Sequence, residues 1–216
     1  MEEIGDRTEI KRTLDYDIPE SAVVFRLVWY AVASRPGVLL NDYSEPESQD
    51  FEGKAVFSTK IDDQNVDVSI LVEEAQKMVE VTASGQDPSV LEKYLDEIAA
   101  SAGNSLKKYQ SLPDDVKGKL KRALVAKTCW DRLVFEILNK ASLGVVYFQL
   151  AHGREMMIKA IEGEDMMSLP LTTSGWLTRI ESMPREEPLP GNIAAELAKK
   201  SIEWKKETQE VIAKYL

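Results

Sequence analysis

A chain of 216 residues, 44% of them hydrophobic, can form one compact body or two small ones and holds enough apolar surface to build its cores without disulfide or metal staples. Its 27 Lys and Arg against 37 Asp and Glu give a formal charge of -10, an acidic balance that repels phosphate backbones, so no nucleic-acid partner is expected. Cys129 is the sole cysteine, which rules out an intramolecular disulfide and suits a reducing compartment, while the apolar stretches 22–33 and 143–151 are interrupted by Arg26 or too short to cross a bilayer.

The chain starts acidic, Met1-Glu2-Glu3-Ile4-Gly5-Asp6, without the basic and apolar regions of a signal peptide, and is read as untargeted and cytoplasmic, with no membrane partner. Ile10, Leu14, Tyr16 and Ile18 alternate with polar residues, which predicts a half-buried strand. After Pro19, the residues Val24, Phe25, Val28, Trp29 and Val32 recur at helical spacing until Arg35-Pro36-Gly37 breaks the pattern. Val38-Leu39-Leu40 is compatible with a short strand, and the acidic stretch 41–53 reads as a flexible loop. Lys54–Ile61 and Val66–Val72 flank Asp62-Asp63-Gln64-Asn65 as a hairpin. Met78–Ala83 adds a third strand, and Val90, Leu91, Tyr94, Leu95, Ile98 and Ala102 form the apolar stripe of a second helix. The expected fold class is therefore α+β: a small antiparallel sheet with packed helices in the order β-α-β-β-β-α, followed by an all-α helical bundle region. In element order the first part resembles the minimal form of the helix-grip and other small single-sheet folds. That resemblance implies a small apolar molecule held between the sheet and a covering helix.

From Leu112-Pro113 onward strand signals fade. Helices are predicted over 116–138, 141–161 and 193–215, with a short one at 175–182 inside the stretch 163–190, which Pro170, Pro184, Pro188 and Pro190 interrupt. The division is thus an acidic α+β domain, 1–112, and a helical domain, 113–216. The first carries 11 Lys and Arg against 22 Asp and Glu, a net -11; the second carries 16 against 15, a net +1.

Residues that carry chemistry are few. Cys129 and His152 are the single members of their kinds, but Cys129 falls mid-helix beside Trp130, the setting of a core cysteine rather than an activated thiolate. One Cys and one His cannot supply a zinc site, and no Glu stands three residues before His152 as di-iron bundles require. Asp63, Asn65, Asp67 and Glu74 match the first, third, fifth and twelfth places of a calcium loop, yet the sixth is Val68 where Gly is needed, so the stretch reads as a polar turn. Phosphate-binding glycine motifs are missing, and no cofactor is expected. Acidic residues are too many for any pair to be singled out as general acid and base.

Two surface features stand out. Lys117, Lys119, Lys121, Arg122 and Lys127 form a basic cluster that could meet an acidic partner or the chain's own acidic half. Trp130, Phe135, Tyr147, Phe148, Met156, Met157, Met166 and Met167 read first as core and second as a pliable apolar groove. The sequence therefore favours a non-enzymatic protein that binds a protein partner or itself, ahead of a small apolar-ligand module, with an enzyme built on acidic residues or on Cys129 and His152 last.

Overall fold

The computed structural model describes residues 7–44, 52–162 and 168–216. The chain divides into two compact units, Met1–Ser111 and Leu112–Leu216.

The first unit runs β1 (Thr8–Asp15), α1 (Ser21–Ala33), β2 (Leu39–Ser44), β3 (Glu52–Ile61), β4 (Gln64–Glu73), β5 (Met78–Gly85) and α2 (Pro88–Ser111). Its strands form one sheet in the order β1-β5-β4-β3-β2, with every neighbouring pair antiparallel. The order therefore contains one strand more than expected. The short candidate at Val38–Leu40 extends to Ser44 because pairing with β3 satisfies its backbone, and a register shift between Leu40 and Asp42 accommodates the polar residues there. Asn41–Ser44 and Glu52–Gly53, expected in a loop, are thus strand; residues 45–51 lie outside the described residues.

Period-two patterning decides which face is covered. Val66, Val68, Ile70 and Val72 of β4 are all buried, as are Ala55 and Phe57 of β3 and Val79, Val81 and Ala83 of β5. Against that face α1 lies over β3 and β4, and α2 over β1 and β5. Trp29 meets Phe57 edge-on at 5.1 Å and Phe25 at 5.6 Å, so the space between α1 and the sheet is filled by aromatic rings. Polar contacts fasten the margins: Arg12 of β1 binds Asp96 of α2 at 2.7 Å, and Arg35, just past α1, binds Glu97 at 2.9 Å. The β3–β4 hairpin closes through Asp62 and Asp63 with φ of 47° and 64°, positive at both central positions, the geometry whose twist matches the flanking strands.

The second unit contains α3 (Asp114–Leu138), α4 (Leu143–Ala160), α5 (Ser168–Glu181) and α6 (Gly191–Ala213). Helix α3 is its centre, packed on α4 and on α6. At the α3–α4 crossing Gly153 faces Trp130 and Cys129; a Cβ there would stand 2.8 Å from the indole, so only glycine permits this approach. Trp130 donates to Thr208 at 2.9 Å and Trp204 to Thr172 at 3.0 Å, which satisfies both buried indoles. Helix α5 is longer than its short predicted segment because Pro170 sits in the first turn, where a missing N–H leaves no helical hydrogen bond unmade. Among the described residues no helix is long and apolar enough to cross a membrane.

Candidate functional site

The basic cluster does not form one solvated face. Lys117 pairs with Asp114 at 3.6 Å. Lys119 Nζ donates to the carbonyl of Glu162 at 3.1 Å, and Arg122 Nη1 to the carbonyl of Lys159 at 3.4 Å. Arg122 thus satisfies an orphan carbonyl in the last turn of α4 and Lys119 a carbonyl just past its end, so both lie at the negative end of its dipole. Lys121 is partly exposed and Arg122 exposed, whereas Lys127 is buried and does not belong to the surface cluster.

Lys127 instead belongs to an ionic triad. It donates to Asp131 one turn along α3, and Lys205 of α6 binds the other carboxylate oxygen at 2.7 Å. One carboxylate serves two ammonium groups. Burial lowers the Lys127 pKa to about 8, against the opposing pull of Asp131 and with further help from Lys205. At Asp131 burial acts to raise the pKa, and the two lysines more than offset it, holding the carboxyl below its ordinary value. The arrangement ties α3 to α6. The signal was in the helical phase: Lys127 and Asp131 stand seven residues after the core positions Leu120 and Leu124, on the same inward face.

The remaining candidates separate. Cys129 is buried, and α4 presents Gly153 to it, while His152 stacks on Phe148 with ring centroids 5.8 Å apart. Of the calcium-like residues, Asp63 is a hairpin residue, Asn65 and Asp67 are in β4, Asp67 binds Arg7 at 2.7 Å, and Glu74 faces Lys77. Among the described residues no group of three or more His, Cys, Asp and Glu side chains is placed to hold a metal. Trp130 and Met157 are core, Phe148 is exposed, and Met166 and Met167 lie outside the described residues.

What the helical unit does expose is an apolar groove. Helix α3 ends with Lys140 in the left-handed region, φ 54°, where Ala141 N–H reaches back to the carbonyl of Glu136 at 2.9 Å. The first amides of α4 are capped by backbone: Leu143 N–H donates to Glu187 at 2.7 Å and Gly144 N–H to Arg185 at 2.8 Å. Arg185 lies over the Tyr147 ring at 3.7 Å, which holds the α5–α6 connection against α4. These restraints set the end of α3, the start of α4, Pro188-Leu189 and the first turns of α6 around a groove of about 470 Å³. Its walls are Ile137, Leu138, Val146 and Leu189; Ala194, Ala195 and Ala198 are among the residues lining it from α6. Leu138 is 63% exposed, and on α4 Val145 and Phe148 are exposed as well, Phe148 at 62%. Sequence reasoning missed the groove: Leu138, Ala194, Ala195 and Ala198 read as ordinary helix positions, and only the folded arrangement gathers them.

No known protein family, curated protein or solved structure matches the chain.

Proposed function

We propose that this protein acts through self-association, two copies meeting at the groove of the helical unit so that Leu138 of each seats on the alanine-lined side of the other. The observation that supports this reading most is the pairing of an apolar hollow with a protruding leucine on one patch. A two-fold interface needs such a self-complementary patch, because the same surface must serve both sides. Alanines on α6 leave room for a large side chain, and exposed apolar surface of this kind marks an interaction face. Lys140 strengthens the case: a left-handed position that favours glycine carries a lysine at the groove margin, and strain of this sort gathers at functional surfaces. The helical unit also carries a net charge near zero, so copies meet there with little local repulsion.

Two other readings find less support. A small apolar ligand between the sheet and its helices would have to displace Phe25, Trp29 and Phe57, all buried and in ring contact. An enzyme using Cys129 and His152 would need α4 to present its histidine where it presents Gly153.

Sedimentation equilibrium of the full chain tests the proposal. Burying a leucine contributes about 1.5–3 kcal/mol, so Leu138→Asp weakens the dimer by about 10-fold or more while its thermal melt stays near that of the unaltered chain. Ala195→Glu acts in the same direction by filling the hollow. A monomer at every concentration rejects self-association, and a monomer whose native mass includes a small apolar compound favours the ligand reading.

A further inference from the structure

Helix α6 is fastened to α3 by charge as well as by apolar packing. Its Leu197, Trp204, Val211 and Ile212 are buried, and it packs chiefly on α3. Within that interface Lys127, only 1% exposed, and Asp131 of α3 meet Lys205 of α6, whose nitrogen lies 2.7 Å from the carboxylate. Two cations share one anion, so the cluster holds one positive charge in excess where little water reaches it. A buried charge without a counter-charge is costly, and an amine escapes that cost by releasing its proton.

The charges that act on Lys127 most strongly are Asp131, which favours its protonated form, and Lys205, which opposes it. On α4, which also packs on α3, Glu155 pairs with Lys159, Arg154 donates to the carbonyl of Pro170 and His152 stacks on Phe148. The proton on Lys127 is therefore governed by the contact between α3 and α6. When α6 lifts from α3, Lys127 meets water and recovers its ordinary affinity for a proton, so docking of α6 favours the neutral amine and protonation favours its release.

We propose that the triad is a pH-operated latch on α6. With both lysines charged, the excess positive charge loosens α6 on α3; loss of the Lys127 proton leaves a neutral amine beside the Asp131–Lys205 pair and holds α6 down. Falling pH thus exposes the apolar stripe of α6 and the α3 face beneath it, and rising pH conceals them. The latch acts within one chain and stands independently of self-association. Its size follows from the lowered pKa: with Lys127 at about 8 when α6 is docked and at its ordinary 10.5 when α6 is free, opening becomes about 10-fold rarer from pH 7 to pH 9.

Amide hydrogen exchange of the full chain tests the latch, with the rate in α6 divided by the rate in α4 at each pH so that the shared effect of hydroxide cancels. This ratio is expected to fall about 10-fold between pH 7 and pH 9 in the parent and to stay level in Lys127→Met, which keeps the Asp131–Lys205 pair but has no proton to lose. In Lys205→Met the remaining lysine has Asp131 to itself and keeps its proton to higher pH, so the fall over the same range shrinks. A level ratio in the parent overturns the latch, whether because Lys127 does not titrate or because α4 and α6 open together. A fall that persists in Lys127→Met assigns the effect to another group and overturns it as well, and a full-sized fall in Lys205→Met overturns the part given to α6.

Discussion

Lys127, Asp131 and Lys205 place three charges in the helical core with only one of them negative, so each partner contributes differently. Removing Asp131 leaves the buried Lys127 ammonium without its partner and facing the partly buried one of Lys205; Asp131→Ala is expected to destabilise by about 3–5 kcal/mol in chemical denaturation. Lys127→Met removes the more deeply buried cation, keeps the Asp131–Lys205 pair and fills similar volume, so its stability at neutral pH stays near that of the parent or exceeds it. The pH dependence follows from sign. Lys127 has a folded-state pKa of about 8, below its ordinary value of 10.5, so between these values the unfolded chain binds more protons and the Lys127 contribution to stability rises with pH. Asp131 has a depressed pKa, so its contribution is present above the ordinary carboxylate range and is lost as pH falls through the folded value. Comparing denaturation of the parent and Lys127→Met from pH 7.5 to about pH 10 isolates the first effect: the parent gains on the variant as pH rises. A constant difference across that range contradicts the burial argument.

At the scale of elements, Lys119 and Arg122 show why a run of basic residues is ambiguous in a sequence. Charge counting placed them with Lys117, Lys121 and Lys127 as a partner surface, but their terminal nitrogens lie on carbonyls at the end of α4. Charge reversal there, Lys119→Glu with Arg122→Glu, therefore sets two carboxylates against the negative end of a helix. Since each dipole contact contributes about 0.3–1 kcal/mol, the pair is expected to lose about 1–2 kcal/mol, read as a lower melting temperature that is partly restored by salt. An unchanged melt would show that these contacts add nothing to stability and leave both cations available to an acidic partner. Strands β3, β4 and β5 and helices α1, α3 and α6 were legible because their apolar residues repeat at two or at three and four; the extent of β2 was not, since Asp42, Tyr43 and Ser44 owe their conformation to pairing with β3 beyond the register shift at Asn41. Helix α5 was masked by Pro170, a breaker in mid-helix but harmless in a first turn. The groove has no pattern in sequence at all, because it is assembled by elements distant along the chain.

For the molecule as a whole, the charge that sequence counting supplied decides between two ways in which copies could meet. Each chain carries -10, so approach of two copies is opposed at long range whatever surfaces touch. If contact is made through the apolar groove of the near-neutral unit, no attractive ion pairs are lost when salt is added, and screening removes only the repulsion. Self-association then strengthens as ionic strength rises toward 0.15 M, where the screening length is about 8 Å, and changes little beyond. If instead Lys117, Lys119, Lys121 and Arg122 of one copy met the acidic unit of another, the contact would rest on attraction between opposite charges and would weaken over the same range. Sedimentation at several salt concentrations therefore gives opposite slopes for the two modes. Leu138→Asp adds a second axis, since it should abolish the association that salt strengthens and leave untouched one that salt weakens. The expected result is association that rises with salt in the parent and is lost in that variant, while association that falls with salt in both would move the interface from the groove to the basic helix face.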